Sequence, residues 1–266
     1  MRILFYPTHM RHYLILPLLL LIQPPILTAT ARRLSHHIVV RDGGIIRGDT
    51  TRRQIALVFT ASAWADGAEP VMQALKAAKV KGNFFVTGEF VSRYPSVVRR
   101  LVKGHHYVGS HSWGHLLYAA WDRRDSTFVS RDSMIRDLDR SYTALGKLGV
   151  RRRKCPYFIP PYEHYNATVA AWAREVGLQI INYTPGTRSN ADYTTPDMSN
   201  YASSECLVRN IMDYEGKYGL NGFLLMIHMG THPDRKDKLY LCLPEIISRL
   251  QAKGYRFVTV DRLIEK

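Results

Sequence analysis

The chain predicts an α/β fold, a single closed or nearly closed barrel, on three observations. Short apolar runs alternate with longer amphipathic stretches from Gln54 onward, glycines stand where helices would end, and polar residues follow directly after the apolar runs. Alternation of this kind calls for parallel strands joined by helical crossovers. Parallel barrels gather their chemistry at the C-terminal strand ends, which is where the polar residues fall. Seven units without an internal linker point to one closed or nearly closed α/β barrel, with an open doubly wound sheet as the competitor.

Strands are expected at Ile55–Phe59, Phe84–Thr87, Tyr107–Gly109, Tyr157–Ile159, Gln179–Asn182, Phe223–Ile227 and Arg256–Thr259. Each is a short apolar run rich in β-branched or aromatic residues. Helices are expected between them, at about Glu69–Ala78, Ser96–Lys103, Asp132–Leu148, Ala167–Val176, Ser204–Glu215 and Leu241–Ala252. In the third of these, Met134, Leu138, Ala144, Leu145 and Leu148 recur at roughly helical spacing after Ser130, a natural N-cap. Gly104, Gly149, Gly177 and Gly254 each follow a helix where a C-terminal glycine relieves the backbone.

The N-terminus reads as a secretory address. Arg11 and His12 precede the apolar run Tyr13 to Ile22, and Ala29-Thr30-Ala31 supplies a small-residue cleavage site. The run is too short to span a bilayer. Domain boundaries follow: 1–31 signal peptide, 32–53 lead-in, 54–266 barrel. The full chain holds 37 Lys+Arg against 22 Asp+Glu, and only Arg2 and Arg11 are charged before Ala31, so the basicity belongs to the folded part. Export disfavours nucleic acid as a partner and favours a glycan or an anionic envelope polymer. Three cysteines exclude a disulfide framework, leaving either one disulfide or three free thiols at Cys155, Cys206 and Cys242.

The strand ends carry the candidate chemistry. Thr60-Ala61-Ser62-Ala63-Trp64-Ala65-Asp66-Gly67 follows the first, His111-Ser112-Trp113-Gly114-His115 the third, Pro160-Pro161-Tyr162-Glu163 the fourth, and His228 closes the sixth. Histidines four apart can turn two imidazoles to one ion, and Asp66 would complete a three-ligand set with positions left for water. No Glu follows His111, which excludes the zincin helix.

With these residues in view, the chain resembles the polysaccharide deacetylases, the NodB-homology group of carbohydrate esterases (family 4). IALVFT followed by ADG is similar to that family's strand and T-F-D-D-G motif, and KGNFFVTG to its second strand. HSWGH resembles H-[ST]-x-x-H, FIPPY resembles R-x-P-[YF], and MIH resembles L-x-H. The likeness runs from about Gln54 to Ile264. It implies a distorted (β/α)7 barrel holding one divalent metal ion, zinc first, with cobalt or nickel as alternatives. Asp66, His111 and His115 would be its ligands, the Tyr162 N–H would help hold the oxyanion, and His228 would be the general acid. The implied reaction is hydrolysis of N-acetyl or O-acetyl groups on a glycan, releasing acetate.

Two places depart from that pattern. Ala65 stands where the family carries its base, with Ala61–Trp64 read as an acid-free insertion, and Ile159 stands where it carries the supporting Arg. Base and partner are thus missing together. Glu163, Asp192 in the loop after the fifth strand, or metal-bound water alone could supply the base; a catalytically silent glycan-binding barrel is the alternative. General base catalysis typically contributes 10²–10⁴-fold, so its loss would be severe without being total. Trp113, Tyr118, Trp121, Tyr162 and Tyr165 cluster around the motifs; Trp121 and Tyr162 are the preferred sugar platforms. Arg151-Arg152-Arg153-Lys154 precedes the fourth strand, on the side away from the expected site.

Overall fold

The computed structural model describes residues 34–123 and 125–265; the expected signal segment lies outside them. In chain order the elements are β1 (Val39–Arg41), β2 (Gly44–Arg47), β3 (Gln54–Ala61), α1 (Ala68–Ala77), β4 (Asn83–Val86), α2 (Gly88–Arg93), α3 (Pro95–Lys103) and β5 (Tyr107–Ser110). They continue with α4 (Arg131–Gly146), β6 (Tyr157–Phe158), α5 (Ala167–Glu175), β7 (Gln179–Ile180), α6 (Ser204–Tyr218), β8 (Phe223–His228), α7 (Leu243–Ala252), β9 (Arg256–Phe257) and α8 (Val260–Ile264). All seven expected strands and all six expected helices are present, with β6, β7 and β9 shorter than their expected runs and β3, β5 and β8 longer.

The strands pair in parallel in the order β5-β4-β3-β8, with β9 beside the start of β3 and a separate β6–β7 pair. Single hydrogen bonds carry the wall between ladders. Ile159 N–H donates to the Ser110 carbonyl at 3.2 Å, Asn182 N–H to the Ile45 carbonyl at 2.9 Å, and Thr184 N–H to the Leu224 carbonyl at 3.0 Å. These gaps are the distortion of the barrel: the two-residue strands β6 and β7 leave much of the wall to loops.

Residues 34–53, read as a lead-in, supply part of that wall. The antiparallel hairpin β1–β2 brings Ile45 against Ile181 of the segment after β7, between β7 and β8. Asp49 anchors the following turn, accepting from Thr51 and Ser35 and pairing with Arg52 at 3.0 Å. Those hydrogen bonds and that charge outweigh burial and hold its carboxyl down at about 2.

The two-residue period of a strand divides the core in two. Ala56, Val58, Phe85, Tyr107, Tyr157, Ile159, Leu224 and Met226 form the inner cluster, while Ile55, Leu57, Phe59, Phe84, Phe158, Leu225 and Ile227 pack outward under the helices. The same parity sends Thr60, His111 and His228, at the ends of β3, β5 and β8, to the inner face. The helices are fixed by ordinary caps: Thr87, Ser130, Asn166 and Ser203 each accept an N–H from the third residue on. Such a cap contributes about 1 kcal/mol. Cys155, Cys206 and Cys242 form no disulfide, and each is half-buried. Arg151–Lys154 form a short turn before β6, with Arg152 paired to Asp139 and lying over Tyr142. No described helix is long and apolar enough to cross a membrane.

Candidate active site

A cavity of about 760 Å³ opens over the C-terminal strand ends, lined among others by Thr60, His111, His115, Trp121, Glu163 and His228. Four residues bearing on it sit in the left-handed backbone region, Ser112, His115, Tyr162 and Glu163, with φ of 70°, 52°, 57° and 53°. Non-glycine residues adopt such angles at a cost of order 1–3 kcal/mol and persist only where their surroundings hold them.

One such holder is Asp137 of α4. Its carboxylate accepts from Trp113 N–H at 3.0 Å, Gly114 N–H at 2.8 Å and the Tyr118 hydroxyl at 2.7 Å. This ties down the turn that carries both histidines. Tyr118 is therefore a buried girder, Tyr165 is buried with its hydroxyl on the Arg41 carbonyl, and Trp113 lies under Arg140. None of these three lines the cavity. Trp121 and Tyr162, by contrast, stand 60% and 49% exposed at the cavity, Trp121 stacked on His164 and Tyr162 tilted against His115.

His111 is buried, and its Nδ1 faces the Ile159 carbonyl at 3.0 Å. That contact assigns the proton to Nδ1 and leaves Nε2 as an acceptor, 3.3 Å from His115 Nε2. Burial, and then the second imidazole, pushes His111 down to about 3; burial and His228 lower His115 as well. Both rings are therefore neutral near pH 7. Glu163 Oε1 stands 3.5 Å from His111 Nε2. Burial pushes this carboxyl up to about 7, with His228 opposing and Asp192 adding.

Across the cavity, His228 donates from Nδ1 to Asp192 Oδ1 at 2.6 Å, and its backbone N–H reaches Asp192 Oδ2 at 2.8 Å. Asp192 is fully buried. Both of its oxygens are taken up by His228, so it positions the imidazole and leaves Nε2 as the nitrogen free to act. Burial alone would lower His228, but the charge and hydrogen bond of Asp192 outweigh it, and Glu163 adds, so its pKa is raised. Sequence spacing alone carried no signal of this pairing, since the partners are 36 residues apart.

Asp66 is the residue the structure does not bring to the others. β3 runs unbroken through Ala61, so Thr60 and Ala61 hold the strand end, and Asp66 lies beyond it in a loop. There its carboxylate accepts from the Tyr240 hydroxyl at 2.7 Å and Thr231 N–H at 3.1 Å, and pairs with Lys238 at 3.1 Å. Reading Ala61–Trp64 as an insertion ahead of the acid therefore gives way: the strand itself ends in Thr and Ala. Thr60, paired in register with His228, has a buried hydroxyl that makes no hydrogen bond.

The implied metal ion can be tested on these donors. Zinc–imidazole bonds of about 2.0–2.1 Å at tetrahedral angles separate two ligand nitrogens by about 3.3–3.4 Å. The 3.3 Å between His111 and His115 matches. The third ligand fails, because Asp66 is held by Lys238 and Tyr240, and among the described residues no three His, Cys, Asp or Glu form a group that could hold a metal. The expected Asp66–His111–His115 set does not assemble.

The polysaccharide deacetylase pattern matches residues 47–181. The chain belongs to that family. A peptidoglycan-N-acetylglucosamine deacetylase of Bacillus cereus is 27% identical over 204 residues, covering 75% of this chain and 84% of that protein. The enzyme PgdA of Listeria monocytogenes, also a peptidoglycan-N-acetylglucosamine deacetylase, is 26% identical over 213 residues; the match spans 80% of this chain but 39% of PgdA. Among solved structures, the Bc1960 peptidoglycan N-acetylglucosamine deacetylase aligns with a TM-score of 0.66 at 21% identity, over 82% of this chain and 91% of its own. A CE4-family pseudoenzyme from Bacillus anthracis aligns equally well, TM-score 0.66 at 19% identity, over 84% and 69%. At these identities the solved structures establish the fold, the (β/α)7 barrel.

Proposed function

We propose that this family member is an exported hydrolase that removes acetyl groups from an amino-sugar glycan, of the peptidoglycan or chitin-oligomer kind. The observation that carries the reading is the His228–Asp192 pair facing Glu163 across the mouth of the barrel. His228, held by Asp192 with its pKa raised above the ordinary histidine value, is the acid that delivers a proton from Nε2 to the leaving amine. Glu163, poised near pH 7, is the carboxylate that takes the proton of the attacking water. Water adds to the acetyl carbon, the C–N bond breaks, and acetate and a free amine leave. The Tyr162 N–H is the candidate donor to the oxyanion, since the hydrogen bonds of its turn run from Glu163 and His164 instead. His111 and His115 form the neutral wall between these groups. An anionic envelope polymer is a further partner on the basic exterior.

The rival reading, a glycan-binding barrel without turnover, is favoured by one observation, the absence of any acid at the end of β3. Acetate release from N-acetylglucosamine oligomers and acetylated xylan, with and without added zinc, separates the two. Turnover that falls by 10²-fold or more in His228→Ala supports the hydrolase. Binding with no acetate released from any of these substrates supports the rival.

A further inference from the structure

In a chain with 37 Lys+Arg against 22 Asp+Glu, the cavity wall has a different character. None of the described residues lining it is lysine or arginine, while Glu163, Asp197 and Asp234 all line it. Of the cations in the neighbouring loop, Lys236 is exposed and does not line the cavity, and the other two are engaged elsewhere. Arg235 is buried on the carbonyls of Thr194 and Ala202, and Lys238 lies on Asp66 and the carbonyls of Thr231 and His232. Asp197 and Asp234 are both exposed. Asp197 accepts from the Thr195 hydroxyl, and Asp234 lies 3.4 Å from His232.

At the same end an indole is presented to solvent. Trp64 is 40% exposed, with its ring edge-on to His232 at 5.3 Å between centroids. Its loop is fixed on both sides. A Cβ on Gly230 would fall 2.2 Å from the Trp64 carbonyl, and the Tyr94 hydroxyl donates to the Ala63 carbonyl at 3.1 Å. An exposed indole on an anchored loop, in a wall that carries carboxylates and neither lysine nor arginine, is an arrangement that receives an ammonium group on an apolar ring face. A pyranose carrying a protonated amine has both parts.

Resting on the glycan reading above, we propose that Trp64, Asp234 and Asp197 form a subsite for an amino sugar whose nitrogen is already free, a deacetylated unit neighbouring the acetylated one at His228. The chain therefore recognises partly deacetylated glycan in preference to fully acetylated glycan. General charge attraction cannot imitate this, because the protein as a whole repels an ammonium group.

The test is calorimetric binding at pH 6 in the His228→Ala background, so that no substrate is consumed. The probes are the fully acetylated N-acetylglucosamine tetramer and tetramers with one free terminal amine, at either end. One mixed tetramer is expected to bind about tenfold tighter than the acetylated one. Asp234→Asn, a change at an exposed position, should bring that preference close to one. Trp64→Ala should weaken both. Equal affinity for all tetramers, or a preference that survives both substitutions, overturns the subsite and leaves the glycan reading standing. Failure of every tetramer to bind overturns both.

Discussion

Two sides of the barrel mouth differ in what they keep. On the side of β5, β6 and β8, His111 is fixed by the Ile159 carbonyl, the turn at His115 by Asp137, and His228 by Asp192. On the β3 side, the strand ends in Thr60 and Ala61, and the following loop presents Trp64 while Asp66 faces Lys238. The groups proposed for proton transfer lie on the first wall and those proposed for sugar contact on the second. The first is held by strand ends and buried hydrogen bonds, while the second rests on a loop, so one side can change without disturbing the other.

Restoring an acid to the β3 side is the sharpest way to break that contrast. Thr60→Asp sets a carboxylate on the inner face in register with His228. We expect turnover on N-acetylglucosamine oligomers to rise by about 10²-fold, the low end of what a general base supplies. An unchanged rate in a folded Thr60→Asp protein would mean that the β3 side plays no part in proton transfer.

A smaller effect concerns Glu163 and stability. Its pKa rises from 4.5 to about 7 on folding, so the folded state binds the proton more tightly. The stabilisation is fully present below pH 4.5 and lost as pH rises through about 7, a change of about 3 kcal/mol at most. Glu163→Gln should therefore flatten the loss of stability between those values, measured as denaturation midpoints against pH. Parallel profiles for the two proteins would show that burial does not hold this carboxyl protonated.

The smallest expected effect is at Asp66. Asp66→Asn should leave zinc retention unchanged, by metal analysis after dialysis, while costing about 1 kcal/mol through its contacts to Lys238 and Tyr240. Loss of zinc in this variant alone would return Asp66 to the metal set that the resemblance implies.

Much of the fold was legible in the sequence, for an identifiable reason. Continuous apolar runs such as Ile55–Phe59 and Phe223–Ile227, and glycines after helices, are local signals, and they place strands and helices without knowledge of the partners. The hairpin β1–β2 and helix α2 went unread. The hairpin's outer strand is exposed at all three residues, and α2 is only six residues long, so neither carries a clear period. Within the site, His111, His115, Glu163 and His228 were found because each follows a strand. Asp192 was singled out as a base, and its role as the partner of His228 depends on a loop closing across 36 residues.

The residue chemistry at the strand ends, the order of the units and the family are properties of the sequence by itself, because they rest on periodicity and on motifs read in one dimension. The tertiary structure alone decided which carboxylate meets which histidine. Asp66 and Asp192 are both acids in loops after strands. One is drawn to Lys238 and Tyr240 and the other buried against His228, since a carboxylate leaving water settles on whichever donors the fold brings to it.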